Sequence, residues 1–516
     1  MMDLNNLLLQ SILIPAVFSA IALPVGVRLK EKTGWLAFLV LLYSTIILAY
    51  VQFNHLFLGR VEALEARYSW LPPLELPGLG VLNLGDFVLR ADGLSTPIAL
   101  TIALLSALIA IYSIKYMEHE RALYAYFSLY LLYAAGMIGT VLVTNLAAFF
   151  LFFELMLIPS WALIGVWGTG LRERIAFKYF MFTEAGALSL LAGIVAIGFN
   201  ARTLDVFEVA KGISALPLNL QLVIVVAILL GLFVKMAIFP LHTWLPDAHA
   251  EAPTPISALL SPAMIGIGGY AVIRIIYTGF PSIASNPQFM ISLSVLALIT
   301  MTYGGYMAMA QDDIKRLLAF SSISQMGYML FGMASAHVIG LLGAVLLYVS
   351  HGLSKAVLFM VSGVLIHEFH TRSIKELGGL GPKMPYTAVA TLIGFLGLMG
   401  FPYLIGFWAE LYIFMGAMSS SLRELLSYYA WSSLVVALAV IASVLTASYG
   451  LWTVRRIFYG QPTAKTAEAK EGSALMLAPI LTLAAIALIL GVYPSILTET
   501  VSKYLAHLLI VALKGF

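Results

Sequence analysis

The sequence predicts an all-α integral membrane protein with about fourteen transmembrane helices, and three observations carry that prediction. The 516 residues are 61% hydrophobic and only 10% charged, with a mean hydropathy of +0.98, whereas soluble chains carry roughly 25% charged residues. Apolar runs of about 18 residues or more recur from end to end, each long enough to cross a hydrocarbon core of about 30 Å. The hydrophilic intervals between them are short, so one continuous membrane domain over residues 1–516 is expected rather than a set of soluble domains.

In chain order the spans begin near Leu9, Trp35, Leu94, Tyr126, Asn145, Phe177, Gln221, Pro255, Met290, Phe320, Gly340, Tyr386, Trp431 and Leu475. The opening MMDLNNLL has no basic region before its apolar run, which argues for a retained first helix rather than a cleaved signal peptide. The longest hydrophilic interval, Leu58 to Gly93 with its LPPLELPG, reads as an ordered extracytoplasmic loop. Spans four to eight (residues 123–277) and nine to thirteen (289–457) form two five-helix units, and because five is odd a repeat of this kind inserts with inverted topology. The fourth helix of each unit carries the same anomaly. Lys235 in GLFVKMAIFP precedes Pro240, and Glu410 follows Gly394, Gly397, Gly400 and Pro402 in GFLGLMGFPYLIGFWAE. A proline strips the carbonyl four residues earlier of its partner, here Met236 and Leu398, so helices seven and twelve are predicted to break. Tyr386 to Met418 would also be about 50 Å long as one helix, too long for a modestly tilted span.

Charge is distributed unevenly over alternate loops. Most of the 28 Lys and Arg residues fall on one side, at Arg28 to Lys32, Lys115 and Arg121, Arg172 to Lys178, Lys315 and Arg316, Arg372 to Lys383, and Arg455 to Lys470. The smaller set is Arg60, Arg67, Arg90, Arg202, Lys211, Arg423, Lys503 and Lys514, which leaves Lys235, Arg274 and Lys355 within spans. The basic side is therefore read as cytoplasmic, with both termini outside.

The residues that promise chemistry are ionisable groups at membrane depth, where an ionised side chain costs about 2.5–3.5 kcal/mol on insertion scales unless it meets a partner or water inside the bundle. Glu154 lies in NLAAFFLFFELMLIPSWALIG, about nine residues and roughly 13 Å into its span, with nothing polar beside it. Lys235, equally isolated, is its natural partner. Proximity favours the charged forms of both and burial the neutral forms, a balance that a moving charge could tip and that a proton relay needs. A static ion pair locking two helices is the competing reading. His351 and Lys355 in LLYVSHGLSKAVLFM are four residues apart on one helix face and make a short proton-passing pair. Glu410 would end the line toward the far side. His242, Asp247, His249 and Glu251 in PLHTWLPDAHAEAPTP are residue types that could bind a divalent ion, but among prolines they are read instead as lining a cytoplasmic proton entrance or a subunit contact. HEFH at His367 to His370 lacks the H-E-x-x-H spacing and sits in a basic loop, as solvated surface would. With no cysteine there is no thiolate metal site, iron–sulfur cluster or c-type haem attachment, and there is no G-x-x-x-x-G-K-[ST] loop, so no cofactor and no metal is assigned to this chain.

FELMLIP around Glu154, FVKMAIFPLHTWLPDAHAEAPTPISALL around Lys235, LLAFSSISQMGY from Leu317 and HGLSKAVLF around His351 resemble the antiporter-like subunits of respiratory complex I, with relatives in Mrp cation/proton antiporters and membrane-bound hydrogenases. The resemblance runs from about Leu89 to Tyr459. It implies fourteen helices, two inverted five-helix repeats and broken helices seven and twelve. It also implies that Glu154 is the helix-five glutamate, Lys235 the helix-seven lysine and Glu410 the helix-twelve acid of M-type chains, where relatives carry lysine. In LLSPAMIGIGGYAVIRI the place of a helix-eight lysine falls on Gly266, so the central path must pass through His351 and Lys355, or through water, or be interrupted. Lys355 looks more like hydrogenase and Mrp chains than the M-type pattern. The expectation is a non-catalytic, proton-translocating subunit of a redox-driven complex of membrane-bound hydrogenase or complex I type in the cell membrane. Its expected partners are other membrane subunits, cofactor-bearing redox subunits, the lipid bilayer and H⁺ or Na⁺, and no nucleic acid. A subunit of a multisubunit Na⁺/H⁺ antiporter and a non-pumping structural anchor are the alternatives.

Overall fold

The structure is a computed structural model and describes residues 4–57, 63–76, 80–82, 85–419 and 429–514. Arg60 and Arg423, two of the charges assigned above to the less basic side, lie outside them. The membrane helices are α1 (Leu4–Leu29), α2 (Thr33–Phe57), α3 (Ser95–Tyr116), α4 (Leu123–Leu142), α5 (Leu146–Trp167), α6 (Arg172–Ala201) and α7 (Leu218–Met236). They continue with α8 (Thr254–Tyr277), α9 (Pro287–Met309), α10 (Ile314–Ala334), α11 (Val338–Phe369), α12 in two halves (Pro385–Leu398 and Ile405–Ser419), α13 (Tyr429–Phe458) and α14 (Ala474–Val492). Thirteen of these are long and apolar enough to cross a membrane. The two shorter halves of α12 supply the fourteenth crossing, which agrees with the count from sequence. A last helix, α15 (Ser495–Lys514), is not among those thirteen. Its contacts are Gln52 near the end of α2, Gly93 before α3 and Arg274 near the end of α8, all on one side of the bundle.

The loop between α2 and α3 is built on strands. β1 (Leu64–Tyr68) pairs antiparallel with β4 (Phe87–Ala91), Leu64 opposite Ala91, and inside that hairpin β2 (Leu74–Leu76) pairs with β3 (Gly80–Leu82). The most apolar stretches of α8, α10 and α11 are enclosed by other helices throughout. α10 holds Lys315, Ser321, Ser322, Ser324 and Gln325, all buried. In a lipid solvent the polar helices belong at the centre, because only there can their side chains find partners.

Both predicted breaks are present, and they end alike. α7 closes with the Ile238 N–H on the Phe233 carbonyl and Ala237 in the left-handed region, φ +54°. The first half of α12 closes with the Phe401 N–H on the Leu396 carbonyl and Gly400 at φ +67°. Each is a six-to-one helix-ending bond around a left-handed residue. Carbonyls freed near the breaks are satisfied by side chains: Gln325 Nε2 donates to Leu398 O at 3.1 Å, and Trp244 Nε1 to Val234 O at 3.0 Å. Irregular backbone at membrane depth is tolerated when buried in protein and satisfied in this way.

Other local features recur 168 residues apart. Asn145 caps α5 through the N–H groups of Ala147 and Ala148, and Asp313 caps α10 through those of Lys315 and Arg316. Leu146 N–H bonds to Leu204 O and Val206 N–H to Thr144 O, while Ile314 N–H bonds to Arg372 O and Ile374 N–H to Asp312 O. The same two-bond clasp therefore ties the head of α5 to the segment after α6, and the head of α10 to the segment after α11. Arg202 and His370, also 168 apart, are the left-handed residues that end α6 and α11. Gly136 lets α4 approach the backbone of Met156, and Gly304 lets α9 approach that of Ser324.

Candidate functional site: a buried polar axis

At the first station Glu154 and Lys235 face each other across α5 and α7. Lys235 is buried, its Nζ sits 4.5 Å from the centre of the Phe153 ring, and neither Nζ nor Glu154 Oε1 has a hydrogen-bond partner among the described residues. Glu184 of α6 is a charged neighbour of both. The sequence reading named the pair and missed this second carboxylate, although the signal was present as the single acid in FMFTEAGALS. α6 and α7 come close because Gly231 lies against Gly186 and Leu190, where a Cβ would stand 2.5 Å from Gly186 O.

The second station is the middle of α11. Lys355 Nζ donates to Leu318 O at 2.8 Å and to Ser321 Oγ, which fastens it to α10. His351, one turn earlier, is buried with Nε2 unpartnered. His249, from the short helix Leu245–Glu251, joins this station rather than the surface. It is fully buried, stacks 4.8 Å from Phe359, neighbours Lys315, Lys355 and His351, and has no partner among the described residues for either ring nitrogen. Lys315, assigned above to the basic loop, is instead buried at the head of α10, where its Nζ donates to Ala252 O at 2.5 Å and Ala250 O at 3.4 Å. The two acids beside it, Asp312 and Asp313, disguised a span residue as a loop residue.

The third station is Glu410. It is buried in the second half of α12 beneath Gly400, where a Cβ would lie 2.6 Å from its Oε2, and it neighbours Tyr328 and Tyr449. Tyr449 also lies beside Ser321, so one serine touches both the lysine station and the glutamate station. Of the remaining residues expected at an entrance, Asp247 is held by Lys178 at 2.7 Å and Arg316 at 3.0 Å at the rim. His242 is buried against Phe239 and Tyr303. Glu251 neighbours Arg372 at 4.0 Å and accepts from Thr169. These contacts tie the short helix to the loops after α5 and α11.

Gly266 of α8 lies under the ring of Tyr348, and a Cβ there would stand 2.5 Å from Tyr348 Cδ2. No side chain fits at 266 while that ring is in place. Two π-helical stretches flank it, Leu260–Met264 and Val272–Tyr277, and the first contains Pro262. Such turns cluster at functional sites. In the second, Arg274 pairs with Asp92 at 2.8 Å, both almost fully buried, and binds Tyr270 and Tyr504.

Thirteen spanning helices and the two apolar halves of α12, with lysine, glutamate and histidine side chains among them at membrane depth, make an ion-translocating membrane protein. Residues 143–446 match the family model described as NADH:quinone oxidoreductase/Mrp antiporter, TM, and residues 82–127 match the one described as NADH-ubiquinone oxidoreductase (complex I), chain 5 N-terminus. The chain belongs to this antiporter-like family. It is 33% identical over 458 residues to NAD(P)H-quinone oxidoreductase chain 4-2 of Synechocystis sp., covering 86% of this chain and 78% of the relative. It is 32% identical over 512 residues to a chain 4 of Picosynechococcus sp., covering 95% and 91%. Among solved structures, a chain of respiratory complex I from Thermus thermophilus matches with a TM-score of 0.80 at 26% identity, over 97% of this chain and 99% of that one. A chain of an archaeal membrane-bound sulfane sulfur reductase matches at 0.83 and 25%, over 98% of both. A chain of the Mrp complex of Dietzia sp. shares the fold at 0.84 and 22%, also over 98% of both.

Proposed function

We propose that this chain is the proton-translocating, antiporter-like membrane subunit of a redox-driven complex, in which other membrane subunits and cofactor-bearing chains supply the driving force. The observation that carries the reading is the row of ionisable groups at membrane depth, half-buried Glu154 and Glu184 beside buried Lys235, then buried His249, His351 and Lys355, and buried Glu410. Intramembrane charges of this kind mark ion pathways. The 168-residue recurrence of clasp, cap and glycine contact supports two five-helix units, 123–277 and 289–457, of opposite orientation. The basic loops then face the cytoplasm, with both termini outside.

That Lys235 and Glu154 are neighbours without a closed ion pair indicates how energy would enter. Two charges near each other without a closed ion pair respond to small changes of spacing, since unit charges about 4 Å apart interact by about 4 kcal/mol at an effective dielectric near 20. A helix displacement transmitted from a neighbouring subunit would then move a proton on or off the pair. The test sets the native complex in sealed vesicles, driven by its electron donor and read with an internal pH dye, beside the isolated chain in liposomes under an imposed Na⁺ gradient. Proton movement in the complex that is lost in Lys235→Met supports the proposal. Vigorous gradient-driven exchange by the isolated chain would overturn it in favour of a stand-alone antiporter.

A further inference from the structure

The row of ionisable groups has a gap at Gly266, between Lys235 and the His351 and Lys355 station, and three phenols converge there. Tyr179 of α6 neighbours Glu154, shares a 2.7 Å hydrogen bond with Ser160, and points its hydroxyl at Met264 Sδ, 3.6 Å away. Tyr348 of α11 donates to Ala263 O at 2.9 Å, one residue from Met264. Tyr133 of α4 neighbours both Tyr179 and Tyr348. All three are fully or almost fully buried. The hydroxyl of Tyr133 makes no hydrogen bond to protein among the described residues. Buried hydroxyls are ordinarily satisfied, and phenylalanine would fill the same space without one. From Tyr348 the α11 face continues through His351 and Lys355, three and seven residues on.

The geometry points to a phenol relay, Tyr179 to Tyr133 to Tyr348, that joins the Glu154 and Lys235 station to the His351 and Lys355 station around the π-helical turn Leu260–Met264, two residues before Gly266. A phenol oxygen accepts a proton on its lone pair while releasing its own proton onward, through bridging water where oxygens are apart. Each hydroxyl ends neutral with its hydrogen bond reversed, so no charge is stored on the relay. The glycine and the ring are complementary: Tyr348 occupies the space a helix-eight side chain would need. This inference rests on the proposed proton-translocating function.

The experiment measures protons delivered per electron pair by the native complex in sealed vesicles, with Lys235→Met defining the share owed to this chain. Tyr133→Phe removes no protein hydrogen bond, so assembly and thermal midpoint should equal wild type, while at least nine-tenths of the Lys235-dependent share is lost. Tyr348→Phe should lose the same share of pumping while still assembling, with a lower thermal midpoint because it also removes the hydrogen bond to Ala263 O. A double variant, Gly266→Lys with Tyr348→Ala, opens the space and restores a titratable group, and should recover at least half of the lost share. Wild-type pumping in both phenylalanine variants, with pumping lost in Lys235→Met, would overturn the relay and leave the proposed function standing. Failure of the assembled double variant to recover any pumping would also overturn it. Wild-type pumping in Lys235→Met would remove the function on which the relay rests.

Discussion

Arg274→Met should destabilise the protein by about 3 kcal/mol, the lower end of the range for breaking a buried ion pair. Arg274 and Asp92 are 3% and 2% exposed, and the 2.8 Å bond between them is reinforced by Tyr270 and Tyr504 on the arginine and by the Leu94 and Ser95 N–H groups on the carboxylate. Removing the guanidinium strands a buried carboxylate. Arg90, 3.3 Å away and partly exposed, still compensates it in part, and this is why the lower figure is expected. The pH dependence is a second reading of the same lock. Burial by itself would raise the Asp92 carboxyl, but the adjacent Arg274 overrules it and holds the group at about 2, against 3.8 for an ordinary aspartate. A depressed carboxylate contributes stability that is fully present above 3.8 and lost as pH falls through about 2. The difference corresponds to roughly 2 kcal/mol. It is smaller than the cost of deletion because protonation leaves both side chains in place. Thermal midpoints of the purified complex between pH 7 and pH 2 test both. The variant should melt several degrees lower at neutral pH. It should also lose less stability than wild type as pH falls below about 4, because without Arg274 the Asp92 carboxyl is no longer held so far below its unfolded value. A variant that melts with wild type at pH 7 would show that the α8, α15 and β4 contacts do not depend on this pair.

Gln325→Leu removes the donor that satisfies Leu398 O at the α12 break and should cost about 1–3 kcal/mol, seen as a lower thermal midpoint. Gly304→Leu should prevent assembly, because a Cβ there would stand 2.5 Å from the Ser324 backbone nitrogen and the α9–α10 contact cannot widen cheaply. Native gel analysis of the complex would reveal either result. Lys355→Met should leave assembly intact and remove proton translocation, since among the described residues no other amine neighbours both His351 and Ser321; pumping at the wild-type rate would exclude this lysine from the path.

The membrane fold was legible because its causes are one-dimensional. Hydropathy fixed the spans, and Pro240, Gly400 and Pro402 announced the breaks. Lys235, Lys355 and Glu410 were legible for the same reason, as charges that have no place in an apolar run without a function. What was hidden depends on three dimensions. His249 looked like part of an entrance because its neighbours Asp247 and Glu251 are polar, yet the helix Leu245–Glu251 turns it inward against Phe359. Lys315 was taken for a loop charge because it follows Asp312 and Asp313, whereas the Asp313 cap begins α10 at that point and carries the lysine inside. The left-handed turn at Ala237 gave no sign, since alanine has none of the conformational freedom that makes glycine a marker. Tyr133 was invisible as chemistry because a phenol in an apolar helix reads as core until its oxygen is seen to lack a partner.

The paired clasps carry a consequence for biogenesis. One closes between Thr144 and Val206, the other between Asp312 and Ile374, so each is completed within its own stretch of about sixty residues. A ribosome delivering this chain amino terminus first would finish the earlier knot before the helices of the later one have left the translocon. Domains commonly mature as units during synthesis. The stretch that holds Glu154 and Glu184 would therefore be tied together while Lys355 and Glu410 are still being made.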